Sequence, residues 1–182
     1  MKLIQSFLIL TIAILGFSFV NVEAKNVTDK DAKTVEQQVT SQIRKLFYYG
    51  VFDIISFEID GNTVVLSGKV RNAVNRKSAE RRIKKIEGVE KVVNNIEILP
   101  ASSYDNAIRF RAVMTFLRTG NIYRYLQGPN PSMRIIVENG HITLEGYVRS
   151  KGDSKLANIL ANSVTGTFSV TNNLIVSKEF KL

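Results

Sequence analysis

The sequence predicts an α+β fold built from two tandem copies of one small module. Each copy reads α-β-β-α-β, with a small mixed sheet covered by two helices. Three observations predict it. Residues 66–98 return at 144–176 at a constant offset of 78, with ten of 33 positions identical, among them Leu66/Leu144, Gly68/Gly146, Arg71/Arg149, Gly88/Gly166 and Asn94/Asn172. Each copy carries two β-rich runs split by a glycine turn, and each then carries a helical stretch that stops at a glycine. Self-similarity at a fixed period marks a repeated structural unit, so the function belongs to the pair.

The first 24 residues read as a leader outside that fold. Met1-Lys2 is a short positive start, Leu3 to Val20 is almost wholly apolar, and Val22-Glu23-Ala24 has the small-residue pattern of a cleavage site. An uncleaved anchor is the competing reading, since the run approaches the roughly 18–20 residues that span a bilayer. Cleavage after Ala24 is favoured, because polar sequence follows at once. No cysteine follows to carry a lipid, so the expected product is periplasmic and not lipid-anchored.

Val35, Val39, Ile43, Leu46 and Phe47 recur at helical spacing, which predicts an amphipathic helix over about 31–49. Strands follow at 53–59 and 63–70, split by Asp60-Gly61-Asn62. The matching runs of the second copy, 133–138 and 141–148, are split by Asn139-Gly140. Such pairs supply the positive φ that tight hairpins need. Second helices are expected at about 73–86 and 151–163, halted by Gly88 and Gly166. Last strands are expected at about 90–98 and 168–176. Asn94-Asn95 and Asn172-Asn173 interrupt them, either bonding edge backbone or facing solvent. Gly68 and Gly146 fall where the second strand gives way to the second helix, allowing a close turn or helix contact. The modules span 31–99 and 104–178, joined by a Pro/Ser-containing linker at 99–103.

The stretch Gly61-Asn62-Thr63-Val64-Val65-Leu66-Ser67-Gly68-Lys69-Val70 resembles the G-x-V-x-L-x-G-x-V hairpin of the BON domain, with one extra residue in the turn. Gly88-Val89-Glu90-Lys91-Val92-Val93-Asn94-Asn95-Ile96 resembles the G-V-x-x-V-x-N-x-I ending of that family. The second copy matches through Gly140, Leu144, Gly146, Val148, Gly166, Val170, Asn172 and Leu174, and departs at Thr167, where valine is usual. The resemblance implies a two-BON periplasmic protein, similar to the family's osmotically inducible periplasmic protein and its phospholipid-binding outer-membrane lipoprotein. It implies no enzymatic chemistry.

The residues agree on that last point. The one histidine, His141, falls at a predicted hairpin turn and reads as a solvated turn residue. With no cysteine and one histidine, a zinc site would need clustered carboxylates that the spacing does not offer. No Gly-x-Ser-x-Gly elbow, P-loop or Gly-x-Gly-x-x-Gly occurs. The chain is read as a non-enzyme without metal, cofactor or small-molecule substrate. Its net charge of +9 suits anionic lipid headgroups and cell-surface polymers. A pI near 9.8 also invites nucleic acid, but no binding signature for it is present and none is expected as a partner. Without disulfides, each module of roughly 70 residues depends on its own core.

Two basic segments remain as candidate contact surfaces. In the first, Arg76, Lys77, Arg81, Arg82, Lys84 and Lys85 surround a stripe of Ala79, Ile83 and Ile86. It reads either as a solvated face or as an anionic-surface patch. The second copy keeps Lys155 alone at the matching helix, so the fold does not need the charge. The other segment is the helix opening the second module, about 104–119, continuing to Tyr125. Ala107, Phe110, Val113, Met114 and Leu117 are expected on the sheet. Ile108, Ala112 and Phe116 lie opposite, flanked by Arg109 and Arg111, and Arg118, Tyr123, Arg124 and Tyr125 follow. A second small apolar face beside arginines suits shallow membrane insertion. The resemblance carries anionic phospholipid contact to Arg109, Arg111, Phe116 and Arg118, and the candidate surface extends through Tyr123 and Arg124. The alternative is that Ile108 and Phe116 pack on the first module. The functional reading is a non-catalytic envelope and stress protein on anionic phospholipid, or alternatively a chaperone-like adaptor for exported protein clients.

Overall fold

The computed structural model describes residues 29–177. The leader read over 1–24 lies outside them. The first module runs α1 (Asp29–Arg44), β1 (Ile54–Asp60), β2 (Thr63–Val70), α2 (Ala73–Ile83), β3 (Lys91–Asn94) and β4 (Glu97–Ile98). The second runs α3 (Ser103–Leu117), α4 (Gly120–Tyr123), a 3-10 turn at Arg124–Leu126, β5 (Met133–Glu138), β6 (His141–Val148), α5 (Lys151–Asn162), β7 (Ser169–Asn172) and β8 (Ile175–Val176). The fold is the expected α+β pair of modules.

Each sheet has the hairpin's second strand at its centre. β2 lies antiparallel to β1, with Asp60 opposite Thr63, and parallel to β3 and β4. β6 repeats this with β5, β7 and β8, with Glu138 opposite His141. The 78-residue offset therefore carries the register as well as the residues. Alternation then puts Val64, Leu66 and Val70 in one core and Ile142, Leu144 and Val148 in the other.

Gly68 and Gly146 adopt φ of +115° and +102° inside β2 and β6. A Cβ there would lie 2.3 Å from the Ile54 carbonyl oxygen and 2.0 Å from that of Ser132. The close approach is thus to the neighbouring strand's backbone, not to a helix as the sequence reading allowed. Each last strand is broken in two rather than continuous. At the break the Asn94 carboxamide accepts from Ile96 N–H and donates to the Arg76 carbonyl, and Asn172 does the same with Leu174 and Ser154. The asparagines replace the lost ladder bonds and clip the strand to the second helix.

The first helix is shorter than expected. It ends at Arg44, and tighter turns follow, with Leu46 N–H bonded to the Ile43 carbonyl and Tyr49 N–H to that of Leu46. Leu46 stays buried, but Phe47 swings out to 88% exposure instead of joining the core stripe.

The modules meet at the segment before β1. Ile135 N–H donates to the Val51 carbonyl at 2.8 Å, so this segment adds to the free edge of β5. Val51 and Phe52 pack against the second core. The Arg134 guanidinium donates to the Gly50 carbonyl at 2.6 Å, and Lys69 pairs with Glu138. Met133 to Val137 are consequently buried in an unbroken run, whereas β1 alternates.

Candidate functional site

The helix that opens the second module is the candidate surface, and one buried acid sets its rotation. Ser102 caps α3, its hydroxyl accepting from Asp105 N–H at 3.1 Å. The Asp105 carboxylate, fully buried, reaches across to the tip of the β5–β6 hairpin. It accepts from Asn139 N–H at 3.0 Å and Gly140 N–H at 2.8 Å. Both turn residues sit at positive φ, 52° and 81°, which aims their N–H groups at one point.

With Asp105 inward, the residues three and four positions on follow it. Ile108, Arg109, Ala112 and Phe116 are buried, and Ile108, Ala112 and Phe116 belong to the second module's own core. This reverses the face expected from sequence. Ile108 and Phe116 are fully buried in that core, against which Val51 and Phe52 from the segment before β1 also pack. α3 carries two apolar stripes, and only one of them includes an acid that must find two backbone donors. Burying that carboxylate unpaired would be costly, and the Asn139 and Gly140 N–H groups offset that cost, so its stripe can go inward.

Arg109 accordingly offers no surface cation. Its guanidinium donates to Asn106 Oδ1 at 2.8 Å and to the Val137 carbonyl. Burial pulls its pKa below the ordinary value, and repulsion from Arg71 adds to this. Arg111 is exposed and donates to the Thr165 carbonyl at 3.0 Å, while Tyr104 Oη donates to the Gly166 carbonyl at 2.7 Å. These two satisfy carbonyls at the end of α5. Arg118 is exposed at the C-cap of α3. Tyr123 is half-buried. Arg124 lies over the Tyr125 ring at 4.9 Å and 3.4 Å from Asp153, in a network where the Tyr125 hydroxyl also accepts from Arg149 N–H.

What α3 turns outward is the other stripe. Phe110 is 64% exposed and Met114 37%, with Arg111 and Arg118 along one edge. Neither outward residue stands among the contacts expected from sequence, although their helical spacing is visible there.

On α2 and the turn that follows it, all six cations are exposed, over the expected buried stripe of Ala79, Ile83 and Ile86. Arg82 donates to Gln42 Oε1 and Arg81 to Ser78 Oγ. Among the described residues, none of the six pairs with an acid. His141 is exposed, its Nδ1 2.7 Å from Ser169 Oγ, where it links the starts of β6 and β7. Among the described residues no cluster of three or more His, Cys, Asp or Glu is placed to hold a metal ion. A shallow groove of about 350 Å³ between the sheets is lined by Lys69, Ile136, Glu138 and His141 among others, and the Lys69–Glu138 pair crosses it. That hydrogen bond raises the Lys69 pKa. Taken together, the candidate surfaces are apolar and cationic.

The BON domain family matches residues 31–100 and 119–178, one segment in each module. The chain belongs to the BON-domain family. The second matched segment begins just beyond α3, and the family is generally non-catalytic and linked to phospholipid binding and to envelope and stress proteins. No curated protein matches this BON chain. Two solved structures of CdsD, a structural protein of the type III secretion system of Chlamydia trachomatis, are similar at a distance. One, its C-terminal domain, is 10% identical, covering 78% of this chain and 96% of that one at a TM-score of 0.31. The other is 12% identical, covering 80% and 94% at a TM-score of 0.30.

Proposed function

We propose that this BON protein is an exported, non-catalytic envelope protein that holds to anionic phospholipid surfaces through the outer face of α3. The observation that carries the reading is Phe110 and Met114, exposed on a helix whose other face is fully occupied, with Arg111 and Arg118 beside them. An apolar stripe edged by arginines lies in the headgroup boundary, with its side chains in the acyl region and its cations on phosphates. The net charge of +9 strengthens the approach to an anionic leaflet. Among the described residues no helix is long and apolar enough to cross a membrane, so attachment is peripheral in this reading. The leader over 1–24 would deliver the chain to the envelope.

Flotation with neutral or anionic vesicles, at low and physiological salt, tests this. Binding selective for anionic lipid and weakened by salt is the expected result. Equal binding to both lipids, or to neither, contradicts it.

A second reading has one observation in its favour. β4 and β8 leave Ile98, Ile175 and Val176 exposed at the sheet edges. Such edges suit an adaptor that adds strands from exported clients. It predicts suppression of client aggregation with no dependence on lipid.

A further inference from the structure

We propose that the turn carrying Phe47 and Tyr48 is a second, independent membrane anchor, contributed by the first module and seated on an anionic bilayer. The inference rests on the phospholipid reading above and adds a second point of contact to it. Among the described residues Phe47 is the most exposed of the large apolar side chains, and Tyr48 beside it is 52% exposed. Their rings meet edge to face at 4.8 Å, forming one aromatic tip.

The tip is held, not loose. Leu46 before it is buried in the first core. Tyr49 after it accepts from Ile55 N–H through its hydroxyl and lies beneath Arg134. Between two fixed neighbours, the turn has to present Phe47 outward. An aromatic pair locked in solvent is unfavourable without a partner, and tyrosine suits the headgroup boundary because its ring is apolar and its hydroxyl wet.

Charge decides the kind of partner. Arg44 and Lys45 are exposed immediately before the tip. α1 and α2 run antiparallel, with Val35 near Gly88 and Gln42 bonded to Arg82. The cations of α2 therefore lie on the helix packed beside the one that leads into the aromatic tip. Eight exposed cations, Arg44 and Lys45 with the six of α2 and the turn after it, match an anionic lipid surface. A tip of two aromatics matches its acyl boundary. Two anchors on one chain also raise affinity beyond either alone, because the second contact becomes intramolecular.

The chain contains no tryptophan, so Phe47→Trp places a sole indole reporter at the tip. Vesicles of phosphatidylcholine, alone or mixed with phosphatidylglycerol, serve as probe, with brominated acyl chains as quencher. The expected result is a blue shift and quenching with the mixed vesicles only. Phe47→Ser should fold normally, since its side chain packs on no core, and should bind mixed vesicles roughly tenfold more weakly. Sedimentation of the Phe47→Trp protein with unchanged emission would overturn the anchor and leave the α3 reading standing. Quenching of the Phe47→Trp reporter that persists in a Phe110→Ser/Met114→Ser background would support the anchor, and would remove α3 if binding is also undiminished there. No sedimentation of any form would overturn both.

Discussion

The guanidinium carbon of Arg134 lies 4.4 Å from the centroid of the Tyr49 ring, so a side chain of the second module is seated in the first. The same guanidinium donates to the Gly50 carbonyl. Burial lowers the pKa of Arg134 and raises that of Tyr49, and each offsets part of the other's shift through their attraction. This contact, with the Ile135–Val51 backbone bond, joins the two BON units.

Arg134→Ala is expected to loosen the joint. It removes a buried cation–π contact and a charged hydrogen bond, and leaves the Gly50 carbonyl with Asp53 N–H as its remaining donor. The loss is about 2–4 kcal/mol. Calorimetry should show a single transition in the wild type and a lower or divided one in the variant. An unchanged melt would contradict this role.

Asp53 gives the joint a pH dependence. Its carboxylate accepts from Gly50 N–H at 3.0 Å and Arg71 N–H at 2.6 Å, yet burial outweighs these bonds and raises its pKa. A carboxyl whose folded pKa lies above its unfolded value binds its proton more readily when folded. Stability from this group therefore rises as pH falls through the raised folded pKa, and levels off below the unfolded one. Denaturation against pH, wild type minus Asp53→Asn, should grow in the wild type's favour across that acidic window. A difference that is flat or of opposite sign would contradict the assignment.

Gly146→Ala tests the close approach of strands. The new Cβ would meet the Ser132 carbonyl oxygen at 2.0 Å, at a φ that alanine resists. The cost should exceed about 2 kcal/mol in chemical denaturation. Gly50→Ala, with open space around it, is the control and should cost far less.

The strands are the most legible part of this chain. A hairpin needs its glycines at fixed places, so the 78-residue offset between Gly68 and Gly146 carries register directly. The orientation of α3 is not legible, because Phe110/Met114 and Ile108/Phe116 are equally apolar at helical spacing. What separates them is Asp105, whose partners Asn139 and Gly140 are distant in sequence. Arg109 attracts attention as a lipid contact through its charge, and the same rotation buries it. The end of α1 is hidden because Phe47 continues the helical spacing, whereas two short-range backbone bonds unwind the helix after Arg44. The joint at Arg134 leaves only a faint trace, a cation within an apolar strand.

Co-sedimentation of residues 25–182 with anionic vesicles, comparing wild type with Phe110→Ser/Met114→Ser and with Arg118→Glu, tests whether the outer face of α3 holds the membrane. None of these side chains belongs to the second core, so thermal melts should stay close to wild type. Each variant is expected to bind roughly tenfold more weakly, with Arg118→Glu converging on wild type as salt rises. Wild-type binding retained in both variants would contradict the assignment of the α3 outer face to the membrane.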